Sequence, residues 1–167
     1  MLLNRGDGTF PRDVFHELND GTSFPGDFAQ MITTADVDAD GSRDLAVANY
    51  FGNGASVLLN DGLGQLGPVT KFSVGSAPEA IAARDWNADG RSDLLVANSN
   101  DDSVSVLLNQ GSSGFAAALT LPVGDQPAAL VAGDFEADGQ LDIAVARRSG
   151  GVGVGRQGRI GLKYLGS

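Results

Sequence analysis

The sequence has no cysteine among its 167 residues, and only 7% of them are aromatic. Without cysteine the chain has no disulfide, no thiolate metal site and no cysteine nucleophile. No apolar run approaches the roughly 18 residues that a membrane-spanning helix needs, and no signal peptide opens the sequence. These absences exclude disulfide scaffolds, thiolate chemistry and a membrane span from the sequence.

Basic residues are also scarce. The chain has 11 Lys and Arg residues and 21 Asp and Glu residues, which gives a formal net charge of −10. This balance argues against nucleic acid as a partner, because nucleic acid needs a basic surface. Apolar residues make up 42% of the chain, enough to predict a folded core. The 24 glycines predict many tight turns between short strands.

An acidic nine-residue loop occurs three times, with 49 residues from Asp36 to Asp85 and again from Asp85 to Asp134. We call residues 36–44 loop 1, residues 85–93 loop 2 and residues 134–142 loop 3. Oxygen-bearing side chains occupy alternate positions, and glycine at the sixth position permits a sharp turn. This pattern suits a hard cation such as calcium, which prefers six to eight oxygen ligands.

Short apolar segments recur with the loops. The segments 44–49, 93–98 and 142–147 directly follow the loops, and Ser-Val-Leu-Leu-Asn recurs at 56–60 and 105–109. Further segments and Gly/Pro turns complete four short strands per unit, without helical periodicity. Short strands at regular spacing predict an all-β fold. A four-stranded unit of this length is typical of a β-propeller blade, a four-stranded antiparallel sheet.

The repeat divides the chain into five parts and predicts a partial propeller of about three blades. Residues 1–28 form a partial blade with an insertion, two blades follow, and a partial blade and a degenerate Gly/Arg-rich tail end the chain. Propellers have roughly four to eight blades. The chain is therefore either a segment of a larger propeller or a protomer that completes a ring by self-assembly. The boundaries of the later parts are 29–77, 78–126, 127–148 and 149–167.

A helical EF-hand is excluded, because it needs Glu at position 12, where Val47, Val96 and Val145 stand. A solvated Asp-Gly turn remains an alternative for any single loop. All three copies keep the same spacing of oxygen-bearing residues and the glycine at position 6, which favours cation binding. Repetition also argues against acid–base catalysis by these carboxylates, because an active site is normally built once. The sequence therefore predicts a protein that is not an enzyme.

These motifs resemble the FG-GAP/VCBS repeats, the β-propeller blades of integrin α-subunit heads and of many secreted bacterial proteins. The resemblance covers about Ala29–Arg148 and, in part, Leu2–Phe10. It implies up to three Ca²⁺ ions, an extracellular or cell-surface location and a role in adhesion. The ligands it implies are Asp36, Asp38, Asp40, the Ser42 carbonyl and Asp44; Asp85, Asn87, Asp89, the Arg91 carbonyl and Asp93; and Asp134, Glu136, Asp138, the Gln140 carbonyl and Asp142.

The loops are not identical. Asn87 lowers the charge of loop 2 but keeps an oxygen, and Glu136 is one methylene longer than the Asp of loop 1. We expect weaker or altered coordination in loop 3. Calcium affinities should be on the order of 10⁻⁴–10⁻³ M, the range of extracellular modules. The ion would then have a structural role, tying the first strand of a blade to the second.

The leading functional hypothesis is a calcium-binding propeller module that binds a protein or carbohydrate ligand. The alternatives are a propeller part of a secreted carbohydrate-active enzyme and a fragment without autonomous function. Weaker signals have simple explanations: Arg5-Gly6-Asp7 matches a turn, and His16 is expected at the surface. The second loop position is apolar in all three copies, which predicts core packing under each loop. These residues are Val37, Trp86 and Phe135.

Overall fold

A computed structural model describes residues 28–148, 152–156 and 159–165. Arg5-Gly6-Asp7, His16 and nearly all of the predicted partial blade 1–28 lie outside the described residues. Their assignments therefore stay predictions.

Three four-stranded antiparallel sheets make up the described fold, and each is a chain of hairpins in sequence order. Blade 1 contains β1–β4, blade 2 contains β5–β8 and blade 3 contains β9–β12. The prediction of all-β propeller blades is confirmed. The strands are β1 Ala29–Ala35, β2 Asp44–Asn49, β3 Gly54–Leu58, β4 Thr70–Ser73, β5 Pro78–Arg84, β6 Asp93–Asn98, β7 Ser103–Leu107, β8 Leu119–Pro122, β9 Pro127–Gly133, β10 Asp142–Arg147, β11 Val152–Arg156 and β12 Arg159–Leu165.

Helical structure is confined, within the described residues, to a 3₁₀ turn at Gly111–Ser113. Each acidic loop joins the first strand of a blade to the second, as the sequence predicts. Val47, Val96 and Val145, which stand where an EF-hand would have its Glu at position 12, lie inside the second strands. No helix in the described part of the chain is long and apolar enough to cross a membrane.

Blade 3 extends further than the repeat signature suggests. The sequence assigns residues 127–148 to a partial blade and 149–167 to a degenerate tail. In the structure β11 pairs with β10, and β12 pairs with β11, so that blade 3 is a complete four-stranded sheet. Strand pairing needs only backbone N–H and C=O groups, so a Gly-rich segment can extend the sheet without the Val-Leu-Leu-Asn signature.

The second strand of blade 2, β6, is buried on both faces because it contributes to two cores. In β6, Leu94 and Val96 pack in the core between blades 1 and 2. Leu95 and Ala97 pack in the core between blades 2 and 3. Neighbouring side chains on a strand point to opposite faces, so one continuous apolar run serves both interfaces. The first strands lie side by side, with β5 contacting both β1 and β9.

The second loop position shows which faces are covered. Val37 is 8% exposed and belongs to the core between blades 1 and 2, and Trp86 is also 8% exposed and belongs to the next core. The predicted packing is correct for both. It is wrong for Phe135, which is 54% exposed. Each of these side chains is covered by the blade that follows its own, and no described blade follows blade 3.

The two inter-blade cores predict a large effect for Leu95→Ala. Leu95 is fully buried between blades 2 and 3, and its truncation should lower the free energy of unfolding by about 2–5 kcal/mol. Denaturant unfolding measures this change. Leu119→Ala on β8 is the matched control, because Leu119 is exposed; an equal loss from both variants would contradict the packing described here.

Candidate metal-binding loops

The three loops share one backbone shape. The alanine at position 4 has a positive φ in each, 64° at Ala39, 59° at Ala88 and 57° at Ala137. Non-glycine residues adopt this region at a cost, so it persists only where surrounding contacts enforce it. Glycine at position 6 has φ near 90° in the first loop, at Gly41. Here the lack of a Cβ removes the penalty.

The Asp at position 1 organises this shape. In loop 2, Asp85 Oδ2 accepts a hydrogen bond from the Gly90 N–H at 2.8 Å, and Oδ1 accepts one from the Asp89 N–H at 3.0 Å. Asp134 makes the same two bonds in loop 3, at 2.8 and 3.1 Å. The carboxylate thus binds the turn from inside, which explains how alanine is held at positive φ.

Loop 1 differs at this carboxylate. Asp36 Oδ2 accepts from the Gly41 N–H at 3.0 Å, whereas Oδ1 is buried and has no hydrogen-bond partner. Carboxylate oxygens of Asp36, Asp38 and Asp40 lie within 4.8 Å of one another. Three carboxylates so close repel each other unless a cation lies between them. The donor set fits calcium, which takes carboxylate oxygens.

Loop 2 brings a cationic side chain to its own carboxylate. Arg91 Nη2 lies 2.5 Å from Asp89 Oδ2, and Arg91 Nε donates to the Asn109 carbonyl at 2.8 Å. The Asn87 amide also donates to Asp89 Oδ2 at 2.8 Å. Asp89 is therefore neutralised locally, and the structure does not gather three carboxylates here as it does in loop 1.

Loop 3 keeps the backbone pattern but not the grouping of carboxylates. The Gln140 N–H donates to Asp138 Oδ1 at 2.9 Å, equivalent to the bond from the Arg91 N–H to Asp89 in loop 2. Glu136 does not join a three-carboxylate group of the kind found in loop 1. The carbonyl ligands assigned to Ser42, Arg91 and Gln140 stay predictions.

The Asp at position 9, here called the closing Asp, has a different role from the other acidic residues of each loop. It is Asp44 in loop 1, Asp93 in loop 2 and Asp142 in loop 3. Asp93 is fully buried; its Oδ2 accepts from the Trp86 N–H at 2.8 Å and its Oδ1 from the Asn109 N–H at 2.7 Å. Asp44 makes the equivalent pair of bonds at 2.8 and 2.9 Å. This carboxylate connects the loop, and the segment just after the third strand, to the start of the second strand. Its assignment as a metal ligand stays a prediction.

The environment shifts the acidity of three loop carboxyls. Burial, followed by repulsion from Asp44, Asp40 and Asp36, raises the pKa of Asp38 above its ordinary value. The amide of Asn87 and then Arg91 lower the pKa of Asp89. Burial raises the pKa of Asp93, with a contribution from the Asp89 carboxylate, although hydrogen bonds from the backbone of Asn109, Trp86 and Asn87 oppose the rise.

Asn109 is a structural residue that motif analysis of the loops overlooked. Its side-chain amide donates to the Ser92 carbonyl at 3.0 Å and, across the blade interface, to the Val37 carbonyl at 2.7 Å. It therefore connects loop 1 to loop 2. The signal was the asparagine that ends both Val-Leu-Leu-Asn segments, because a third strand does not otherwise need a polar residue there.

Comparison with known families agrees with this architecture. The family profile described as FG-GAP-like repeat matches residues 36–96 and again residues 85–145. The chain belongs to the FG-GAP-like repeat family. Each FG-GAP match begins at the first Asp of one loop and runs past the next loop, so the repeat boundary falls at the same position that the 49-residue spacing indicates.

Other comparisons add little to this assignment. No curated protein matches the chain. Among solved structures, the chain is similar to one described as BBS1N in complex with ARL6DN, soaked with lead, with 16% identity and a TM-score of 0.42. The match covers 90% of this FG-GAP chain and 59% of that chain. The chain thus spans less than two thirds of that structure.

The closing carboxylate predicts a stability defect that does not depend on metal. Asp93→Ala leaves two buried N–H groups without their acceptor, and should lower the free energy of unfolding by about 2–4 kcal/mol. Denaturant unfolding in calcium and in chelator measures the loss, which should appear in both. Asp125→Ala, at an exposed carboxylate between β8 and β9, is the control. A defect seen only in calcium would mean that Asp93 acts chiefly as a ligand.

Proposed function

We propose that this protein is a calcium-binding, non-enzymatic β-propeller module of a secreted or cell-surface protein, and that it mediates adhesion or binds a protein or carbohydrate ligand. The observation that carries the calcium step is loop 1, where three carboxylates converge and one buried oxygen of Asp36 lacks a partner. A divalent cation would satisfy that oxygen and remove the repulsion.

Calcium would act here on structure rather than on chemistry. Loop 1 joins β1 to β2, and the adjacent Val37 carbonyl accepts the inter-blade bond from Asn109. A cation held by Asp36, Asp38 and Asp40 would stiffen the segment on which that bond depends. Ligands that bind only the folded state add their binding free energy to its stability. Calcium therefore supports the blade interface as well as the loop.

The adhesive or ligand-binding role rests on the family, since FG-GAP repeats commonly occur in extracellular or surface proteins. Fold alone does not fix function. A non-enzymatic role is favoured because the carboxylates recur in every blade and are committed to loop structure. Propellers present broad surfaces formed by their loops, which suits recognition of a protein or glycan.

Calcium titration of the wild type and of Asp36→Asn tests the proposal. If the dissociation constant is on the order of 10⁻⁴–10⁻³ M, about 10 mM Ca²⁺ should stabilise the fold by roughly 1.4–2.7 kcal/mol per occupied site. Calorimetry and thermal melting against a chelator measure both quantities. Asp36→Asn should lose one site, while Asp125→Asn keeps all of them. A folded wild type that takes up no Ca²⁺ would refute the proposal.

The three loops should differ in affinity, with loop 1 tighter than loop 3. Loop 1 gathers three Asp carboxylates, whereas the longer Glu136 replaces an Asp in loop 3. Glu136→Asp should therefore tighten the weakest site in the same titration. Equal affinities for all sites, unchanged by this substitution, would contradict the expected order.

A further inference from the structure

The last described blade exposes the face that its predecessors bury. We call Val131, Phe135, Ala144 and Ala146 the trailing face. The residues 49 positions earlier, Ala82, Trp86, Leu95 and Ala97, all pack in the core between blades 2 and 3. Val131 is instead 58% exposed. Within the described residues, the trailing face is therefore an inter-blade surface that no following blade covers.

The packing between blades 1 and 2 shows which kind of surface covers a trailing face. Val37, at the position of Phe135, packs in one core with Ile81 and Leu94. Its carbonyl accepts a hydrogen bond from the Asn109 side chain at 2.7 Å. A trailing face is thus covered by an Ile or Leu surface, and an asparagine amide bonds to the second loop position.

The same chain carries a matching surface on blade 1. We call Ile32, Leu45 and Asn60 the leading face, because they stand at the positions of Ile81, Leu94 and Asn109. Ile32 is 56% exposed, although Ile81 is 2% exposed. The Asn60 amide donates to the Arg43 carbonyl at 3.1 Å, equivalent to the Asn109–Ser92 bond. The Phe135 carbonyl of another molecule would supply the acceptor that Val37 supplies to Asn109.

We propose that the trailing face docks the leading face of a second copy of this chain, with the packing seen between successive blades. Each molecule has one trailing face and one leading face. In a closed pair, the trailing face of each copy therefore meets the leading face of the other, which makes two contacts. The described blades of two copies number six, inside the usual range of four to eight; the predicted partial blade 1–28 lies outside the described residues and would add to this number. A head-to-tail contact that closes after two copies leaves neither apolar face in water.

Sizing with light scattering tests this assembly on the full chain. The wild type should have twice the 17.1 kDa mass of one chain. Phe135→Glu and Ile32→Lys should each give the mass of a single chain, since each breaks both contacts. Leu63→Glu is the matched control: Leu63 is exposed but lies in the turn between β3 and β4, so this variant should stay dimeric.

Mixing the two monomeric variants provides the decisive measurement. In a mixed pair one contact is wild type and the other places Glu opposite Lys, so the dimer mass should return. Thermal melting of each variant confirms that both substitutions, at exposed positions, leave the fold intact. Sizing in calcium and in chelator separates this assembly from metal binding. A wild type at the mass of one chain, dissociation of the Leu63→Glu control, or no recovery on mixing would each overturn the proposal.

Discussion

The fold depends on one buried carboxylate in each repeat. Asp44, Asp93 and Asp142 begin the second strands and accept the backbone N–H of the second loop residue. In the first two blades the other oxygen accepts from the backbone N–H of Asn60 or Asn109, two residues beyond the end of the third strand. Buried charge is costly unless its hydrogen bonds are satisfied. Because these oxygens are satisfied by backbone, the carboxylate fixes where the loop, the second strand and the third strand meet.

Because the closing Asp fixes the position of the second strand, a short strand such as β6 can contribute side chains to two inter-blade cores. β6 alternates side chains between the cores on either side of blade 2, so a shift of one residue would exchange the two sets. The closing Asp and the antiparallel pairing from Leu94–Leu107 to Asn98–Ser103 hold this register. A blade therefore contributes half of each core beside it and stabilises its neighbours in turn, as in other repeat proteins.

The sequence was sufficient for features that each repeat determines by itself. The strand order and the loop positions follow from the 49-residue spacing and from the short apolar segments beside the loops. Features that depend on a neighbour were not predictable in this way. Phe135 has the same apolar character as Trp86, but its burial depends on a blade beyond it. The sequence does not predict β11 and β12, because backbone pairing leaves no side-chain signature. It predicts converging acidic side chains in all three loops, whereas the structure shows a group of three carboxylates in loop 1.

Within each loop the acidic positions have different structural roles. The first Asp bonds the N–H groups of the turn, and the closing Asp bonds the strands. Together they hold an alanine at positive φ, a conformation that costs of order 1 kcal/mol or more. These hydrogen bonds come from the protein itself and hold the loop in this shape. If the loops bind calcium as proposed, differences in affinity among them arise from the side chains at positions 3 and 7, because position 5 is Asp in all three copies.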